Sequence, residues 1–229
     1  MSKKIPNHLW IIMDWNRRWA HSKGLPKIMG HKAWADNVVK IAEYADEIWI
    51  KYLTLWALST DNLNKREQKE VEAIIKLVNS IEKYLDKMKI DNLRFETIWD
   101  IEKLPEKSQE ILKKVKENTK NNTWITLILA LIYWWQDEVV RATKKIIQAW
   151  IDPKNLDRKE FRKYLDSWAF PEIELIIRTG WDIRHSGFML YDSEYAEYYF
   201  TLKKWPEFDK KELDKAIESF SWSKRNFGK

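Results

Sequence analysis

The sequence predicts a single-domain α/β protein, spanning residues 1–229, in which helices flank a mainly parallel central sheet. Short, almost continuously apolar runs recur along the chain, and such runs are typical of strands buried on both faces of a parallel sheet. Longer segments separate them, with apolar residues at three- and four-residue spacing, as in amphipathic helices. Alternation of the two patterns predicts one layered α/β domain. No internal repeat, low-complexity tract or linker divides it.

The predicted elements follow in chain order. The five apolar runs that we expect to form strands are residues 9–13, 52–58, 94–99, 126–133 and 175–177. The three clearest helical stripes lie over residues 38–48, 71–88 and 139–147. Lysine and glutamate fill the opposite face of the second stripe, as expected of a helix packed on a sheet.

Polar residues follow three of the predicted strands at their carboxyl ends. Asp14 to Arg18 follow the first strand, Ser59 to Asn62 follow the second, and Arg178 to Gly180 follow the fifth. Ligands of open α/β sheets bind beyond the carboxyl ends of the strands. A carboxylate and several arginines at one edge suit Mg²⁺ and phosphate. At any single position, an ordinary polar loop residue is an equally good interpretation.

Composition excludes several classes of protein. The chain of 229 residues has 41 Lys+Arg against 35 Asp+Glu, a formal charge of +6, and no cysteine. It therefore has no disulfide, thiol nucleophile or cysteine metal site. No apolar run reaches the roughly 18 residues of a membrane span, and residues 1–7 do not resemble a signal peptide. We expect a cytoplasmic globular enzyme or binding domain.

Glycine and tryptophan occur in unusual numbers. Glycine makes up about 7% of average proteins, about 16 residues in a chain of this length. The sequence contains 5 glycines and 15 tryptophans. A deficit of one residue and a surplus of the other, both of about ten, suggests that they are linked.

Several segments resemble motifs of the cis-prenyltransferases, the undecaprenyl (isoprenyl) diphosphate synthase family. They are residues 11–20, 30–33, 52–62, 176–180, 184–186, 195–200, 205–208 and 225–228, in the family's order and over nearly the whole chain. The resemblance implies Mg²⁺-dependent addition of isopentenyl diphosphate to an allylic diphosphate such as farnesyl diphosphate, each new double bond being cis. It further implies a homodimer, a hydrophobic product tunnel walled by residues 71–88, and a polyprenyl carrier lipid for the cell wall. Peripheral membrane contact for product release is a weaker expectation, and no nucleic-acid partner is expected.

By the same resemblance, Asp14 is the essential Mg²⁺ ligand, although an aspartate there would also serve as a helix N-cap. The matched positions around the allylic diphosphate are Trp15, Asn16, Arg17, Arg18, Trp19, Lys27 and His31. Those of the active-site loop are Ser59, Thr60, Asp61, Asn62, Leu63 and Lys65. The family assigns Asn62 a proton-acceptor role, but an amide is a very weak base, so orienting substrate or water suits it better.

The isopentenyl diphosphate site corresponds to Arg178, Arg184, His185 and Ser186, where guanidinium groups and a hydroxyl would hold a diphosphate. Glu197 matches a second carboxylate that contributes to metal binding, and its alternative is an exposed glutamate at a helix edge. Lys27 and Lys65 replace family arginines, which keeps the charge and loses the bidentate fork. Leu63 replaces a tryptophan. Ile132, Gln136 and Gly187 replace asparagine, arginine and asparagine, which puts substrate affinity in question.

Nine tryptophans stand where the family commonly has glycine: Trp10, Trp15, Trp34, Trp49, Trp99, Trp124, Trp134, Trp135 and Trp181. Glycine serves tight turns, positive φ and close backbone approach to phosphate. Over-packing typically costs 1–3 kcal/mol per site, so nine such indoles would exceed a typical stability. We therefore hypothesise that these codons are UGA, read as glycine in the source organism. Trp19 and Trp205 match family tryptophans and would be UGG.

Two other functions remain as alternatives. A catalytically weak or inactive partner subunit of the same fold is one, although retention of Asp14, Arg18, Arg178 and Arg184 argues against it. A basic nucleic-acid-binding protein is the other, given a pI near 9.2. Its positive charge is scattered among glutamates rather than gathered in a stripe, which disfavours nucleic-acid binding.

Overall fold

A computed structural model describes residues 4–60, 65–98 and 101–223. Its sheet has six strands in the order β3-β4-β2-β1-β5-β6, and every neighbouring pair is parallel. The strands are β1 His8–Ile12, β2 Tyr52–Ser59, β3 Arg94–Ile98, β4 Thr126–Tyr133, β5 Leu175–Thr179 and β6 Glu197–Thr201. The predicted α/β fold with a mainly parallel sheet is therefore confirmed.

Eight α-helices are present among the described residues. They are α1 Asn16–Ser22, α2 Lys27–Glu47, α3 Gln68–Asn79, α4 Leu85–Ile90, α5 Glu106–Thr119, α6 Trp135–Gln148, α7 Arg158–Arg162 and α8 Lys210–Trp222. The last two begin at aspartates, Asp157 and Asp209, whose carboxylates accept from the backbone N–H three residues on. Such N-caps satisfy an otherwise unpaired helical donor. None of the helices in the described part of the chain is long and apolar enough to cross a membrane.

Apolar residues cover both faces of the sheet. One cluster joins the sheet to α2, α3, α5 and α8, with Leu55 and Phe95 fully buried in it. The second lies on the other face, where Phe188 stacks between the rings of Trp10 and Trp56 at centroid distances of 3.8 and 4.1 Å. Burial on both faces explains the continuous apolar runs of the central strands.

The structure differs from the sequence prediction at three elements. Strand β6 was not predicted as a strand. The stripe over residues 71–88 is two α-helices joined by a 3₁₀ segment, Ser80–Tyr84, where the Ser80 hydroxyl donates to the Leu77 carbonyl at 2.6 Å. A serine near a helix end, here Ser80, commonly bonds to the backbone in this way and bends the chain. The third difference is in helix α6, which buries Ala142 and Ile146 but leaves Ile147, part of the predicted apolar stripe, exposed.

Three helices end in the same hydrogen-bonding pattern, the Schellman motif. In α1 the residue in the left-handed position is Gly24 (φ 67°), in α2 it is Trp49 (φ 70°), and at the end of α6 it is Trp150 (φ 53°). Each is followed by a residue whose N–H donates back to the carbonyl five positions earlier, over 2.9, 2.9 and 3.4 Å respectively. This position strongly favours glycine.

The indoles at the glycine-like positions are not uniformly crowded. Trp10 and Trp34 are buried, whereas Trp49, Trp124 and Trp181 are more than half exposed. The expectation that all of these side chains over-pack the fold is therefore wrong for the exposed ones, whose indoles lie in solvent. At Trp49 the cost lies in the backbone instead. Trp99 lies outside the described residues.

Candidate active site

In the sheet order β1 lies between β2 and β5; the chain passes from β1 to β2 on one side, and from β5 to β6 on the other side, so the direction of the connections reverses between β1 and β5. Such a switch point opens a crevice at the carboxyl ends of the strands. A crevice of about 460 Å³ lies there, with Asp14 after β1, Ser59 at the end of β2 and Arg178 near the end of β5. Strand register brings them together, because Ile12 is level with Trp56 on one side and with Arg178 on the other. The predicted convergence of the three strand ends is therefore observed.

Asp14 and Arg178 form the central ion pair of this crevice. Arg178 Nη2 and Nε lie 2.7 and 2.9 Å from Asp14 Oδ2. The guanidinium is 5% exposed and the carboxylate 33%, so the carboxylate faces the crevice. Thr179 fixes the backbone beneath it, since its hydroxyl accepts from the N–H of Asp14 at 2.9 Å. The helix N-cap alternative for Asp14 does not apply, because the residue at the N-cap of α1 is Trp15.

A second group of polar residues extends from Arg178. Its Nη1 donates to the Ser186 hydroxyl at 2.8 Å and to the carbonyl of Arg184. The Arg184 guanidinium lies 2.8 Å from Asp182 Oδ1, and Trp15 Nε1 donates to Asp182 Oδ2 at 3.4 Å. Burial alone would raise the pKa of Asp182, but the Trp15 hydrogen bond and the two arginine charges together lower it. Three of the predicted isopentenyl diphosphate residues thus meet at one point.

Opposite this group, Glu70 of α3 contacts two arginines and a histidine. Its carboxylate oxygens lie 3.1 Å from Arg17 Nη1, 3.1 Å from Arg66 Nη1 and 3.5 Å from His31 Nε2. Burial lowers the pKa of His31; the Glu70 charge opposes this, and the charges of Arg66 and Arg17 add to it. Glu70 therefore joins α1, α2 and α3 around the crevice.

Trp15 occupies the middle of the crevice. Its backbone is left-handed (φ 74°, ψ 21°), and the Arg18 guanidinium lies 4.1 Å from its ring. The indole also stacks on Trp181 at 5.8 Å and packs so closely against Gly180 that a Cβ there would lie 2.3 Å from its ring. The side chain thus fills space between Arg18 and Arg178 that an anion would use.

Ten of the predicted site residues line the crevice: Asp14, Trp15, Asn16, Arg17, Arg18, His31, Ser59, Arg178, Arg184 and Ser186. Five other predicted residues do not line it: Trp19, Lys27, Thr60, Lys65 and His185. Lys27 lies 3.9 Å from Glu67, and the Thr60 hydroxyl donates to the Ile132 carbonyl at 3.1 Å. The predicted Asp61, Asn62 and Leu63 lie outside the described residues.

Glu197, the predicted second metal ligand, is not brought to this crevice. It begins β6 and is level with Leu175, the first residue of β5, at the amino edge of the sheet. Leu175 is in turn level with Leu9 of β1, so Asp14 lies beyond the opposite edge, about five residues or 16 Å further along the strands. One chain therefore does not place both carboxylates on one ion. Nor is Glu197 a helix-edge residue, the alternative considered for it.

Sequence reasoning missed Glu70, Arg66 and Asp182. The spacing of Arg66 and Glu70, four residues apart at the start of a helical stripe, was a usable signal for an ion pair. Nothing local to Asp182 distinguishes it from other loop aspartates. Of the three departures from the family pattern, Ile132, Gln136 and Gly187, none lines the crevice. Ile132 and Gly187 both have positive φ (55° and 73°), which asparagine tolerates better than isoleucine does.

An apolar cavity adjoins the crevice between α2 and α3. It encloses about 80 Å³ and is lined almost entirely by apolar side chains. The walls include Val38 and Ala42 from α2, and Leu77, Val78 and Ile81 from the stripe predicted to wall a product tunnel. Ile74, one turn earlier on α3, lines the crevice instead. The same two helices therefore pass from the polar site to the apolar one.

A divalent cation fits one position in this site. Among the described residues, no group of three or more histidine and carboxylate side chains could hold a metal ion by itself. Mg²⁺ commonly takes only one or two carboxylates and completes its shell with substrate phosphates and water. The partly exposed Asp14 carboxylate, in a crevice lined by five arginines, has that character.

An arginine-rich crevice beside an apolar cavity, at the carboxyl ends of a parallel sheet, is suited to a ligand with an anionic head group and an apolar chain. Residues 12–228 match the family model described as putative undecaprenyl diphosphate synthase. The chain is 42% identical to the isoprenyl transferase of Fusobacterium nucleatum, covering 100% of this chain and 98% of the relative. It is 37% identical to that of Aquifex aeolicus with the same coverage of both chains.

Two solved structures agree. The lavandulyl diphosphate synthase of Lavandula x intermedia, in complex with dimethylallyl diphosphate, superposes with a TM-score of 0.93 at 29% identity, covering 98% of this chain and 99% of that one. A probable undecaprenyl diphosphate synthase from Campylobacter jejuni superposes with a TM-score of 0.83 at 30% identity, covering 99% of this chain and 100% of that one. The chain belongs to the undecaprenyl diphosphate synthase family of prenyltransferases. It is an enzyme of prenyl transfer.

Proposed function

We propose that the enzyme condenses isopentenyl diphosphate with an allylic diphosphate, farnesyl diphosphate, in repeated cis additions that require Mg²⁺. The observation that carries the proposal is the Asp14–Arg178 pair at the centre of a crevice lined by five arginines and adjoining an apolar cavity. Arginine forks match diphosphate oxygens, and an apolar cavity suits a growing prenyl chain. The product we propose is a long polyprenyl diphosphate that serves as a cell-wall carrier lipid.

The residues divide by position. Arg17 and Arg18, next to Asp14, would bind the allylic diphosphate, whose departure leaves a cation-like carbon. Arg178, Arg184 and Ser186 would bind isopentenyl diphosphate on the other side of Asp14. Magnesium would be held by Asp14 and would neutralise charge on the leaving diphosphate. Catalysis of this kind rests on positioning and charge stabilisation.

Several parts of the proposal rest on relatedness alone. These are the homodimer, the cytoplasmic location with peripheral membrane contact for product release, and a role in substrate orientation for Asn62. The partner-subunit alternative becomes the better description if no condensation occurs. Nucleic-acid binding is not supported, since the five arginines that converge here line a crevice of about 460 Å³ beside an apolar cavity rather than a basic stripe along the surface.

The test is incorporation of labelled isopentenyl diphosphate onto farnesyl diphosphate with and without Mg²⁺. Two chains are compared, the present one and one with glycine at the nine family positions. We expect Mg²⁺-dependent polyprenyl products, and loss of at least about 10²-fold in kcat/KM for Asp14→Asn. The exposed Asp36, on α2, supplies the matched control Asp36→Asn, which should retain activity. A folded glycine chain that makes no product would refute the proposal.

A further inference from the structure

The crevice and the apolar cavity have one residue in common among those described, Trp34. Its side chain is buried, with 7% exposure, and its Nε1 donates to Met13 Sδ at 3.2 Å. Met13 immediately precedes Asp14 and itself lines the crevice. The indole therefore extends from α2, which walls the cavity, to the side chain of the residue that precedes Asp14.

The order of residues along the two helices supports this position. On α2, His31 lines the crevice, Trp34 lines both spaces, and Val38 lines the cavity. On α3, Ile74 lines the crevice and Leu77 the cavity. At 1.5 Å per residue, His31 and Val38 are about 10 Å apart along the axis. A molecule with its diphosphate at Arg18 and its apolar chain in the cavity must pass position 34.

We propose that the side chain at position 34 controls passage between the two spaces, and so sets how far a prenyl chain extends. The proposal rests on the proposed function, because it assigns the cavity to the chain of the same substrate. With tryptophan the cavity of about 80 Å³ lies behind the indole. For comparison, an engineered apolar cavity of about 150 Å³ binds benzene, a molecule much smaller than a prenyl chain. With glycine at position 34, the space that the indole now fills would connect the crevice to the cavity.

A binding experiment separates this proposal from the reaction itself. Farnesol, which has the apolar chain and no diphosphate, is titrated into the present chain and into Trp34→Gly and Trp34→Ala. The alanine variant keeps helix propensity that glycine lowers by roughly 1 kcal/mol. Circular dichroism confirms folding of both. Trp222→Gly, an exposed tryptophan on α8, is the matched control, and Trp34→Phe retains an aromatic barrier.

We expect farnesol to bind at least about tenfold more tightly when residue 34 is glycine or alanine. Tenfold corresponds to about 1.4 kcal/mol, which burial of roughly 60 Å² of apolar surface supplies. Trp34→Phe and Trp222→Gly should bind as the present chain does. Where condensation occurs, the small residues should also give longer products. Equal farnesol affinity in all folded variants would overturn the proposal, whether or not any variant makes product.

A separate observation concerns the backbone. Of the seven non-glycine residues with positive φ in the described part of the chain, three are tryptophans, at 15, 49 and 150. Trp49 and Trp150 occupy the same position in the Schellman motif that Gly24 occupies in α1. The chain therefore uses glycine there once and tryptophan twice. Position 150 is not among the nine identified from the family pattern, so the backbone adds an independent case.

We infer that residues 15, 49 and 150 are glycine in the protein made by its own organism, through UGA codons read as glycine. Gene sequence and peptide mass spectrometry of the protein purified from its source test this. We expect UGA codons and glycine masses at the three positions, with UGG and tryptophan at Trp19 and Trp205. UGG codons at 49 and 150, or tryptophan in the native peptides, would overturn the inference.

Discussion

Replacing Trp150 by glycine should stabilise the fold. The residue has φ 53° and is 92% exposed, so its indole contributes little burial. A left-handed conformation costs an L-residue about 1–2 kcal/mol. Glycine removes that cost but loses about 0.4–1 kcal/mol through the greater freedom of the unfolded chain. The expected net gain is about 0.5–1 kcal/mol, or about 2 °C in Tm for a chain of this size.

Urea unfolding at equilibrium measures this change. We expect a higher midpoint with an unchanged slope, because the surface exposed on unfolding is almost the same. Trp150→Ala keeps the Cβ and therefore the strain, so it should not give this gain. Trp222→Gly makes the same chemical change at the last residue of α8, where the tryptophan does not have a positive φ. That variant should not gain stability.

The reasoning would be refuted if Trp150→Gly were no more stable than the parent at equal slope. A gain of the same size in Trp150→Ala would also count against it, since the benefit would then come from removing the indole. Trp49→Gly offers a second case in the same motif, with φ 70°. Its gain should be smaller, because the Trp49 ring lies 5.6 Å from the Lys51 ammonium and that contact is lost.

Three further predictions follow from the buried groups. Burial raises the pKa of Glu138 to about 7 from 4.5, so the folded state holds a proton that the unfolded state releases. The contribution of Glu138 to stability should therefore fall by up to about 3 kcal/mol between pH 4.5 and 7, and the difference in urea midpoint between the parent and Glu138→Gln should change by the corresponding amount over that range. Burial lowers the pKa of His8 from 6.5 to about 4, so this group alone should make stability rise from pH 4 to 6.5, a slope that His8→Asn should abolish in the same titration. Arg178→Lys keeps charge but loses the fork on Asp14, so kcat/KM should fall about 10²-fold, whereas the same change at the exposed Arg158, Arg158→Lys, should leave it unaffected.

The convergence of Asp14, Ser59 and Arg178 could be predicted from the sequence, because parallel strands end at one edge and each residue follows an apolar run. The position of Glu197 could not. It depends on the register of β6, whose partly exposed residues lack the continuous apolar pattern that marks the central strands. The motif match identified Glu197 as a candidate metal ligand but did not show where Glu197 lies in the sheet.

The Glu70 cluster shows a different limit. Its contacts join three helices, and Arg17 and Glu70 are 53 residues apart in sequence. The four-residue spacing of Arg66 and Glu70 was a usable signal that they are neighbours, although it was not used. The packing of α3 on α1 and α2 decides that Arg17 and His31 face Glu70 as well. The left-handed backbone at Trp150 was likewise invisible to apolar periodicity, because the tryptophan there gives no turn signal.

The Asp14–Arg178 ion pair has a consequence for the order of events at the site. Each member neutralises the other, so a cation arriving at Asp14 competes with the guanidinium, and a diphosphate arriving at Arg178 competes with the carboxylate. If both ligands bind together, the Asp14–Arg178 ion pair would be replaced by two contacts, one between Asp14 and the cation and one between Arg178 and the diphosphate. Thermodynamic linkage then requires that each tighten the other's binding by the same factor. If Asp14 holds the metal and Arg178 a diphosphate, as we propose, the ion pair would open when both ligands bind together and would oppose the binding of either one alone.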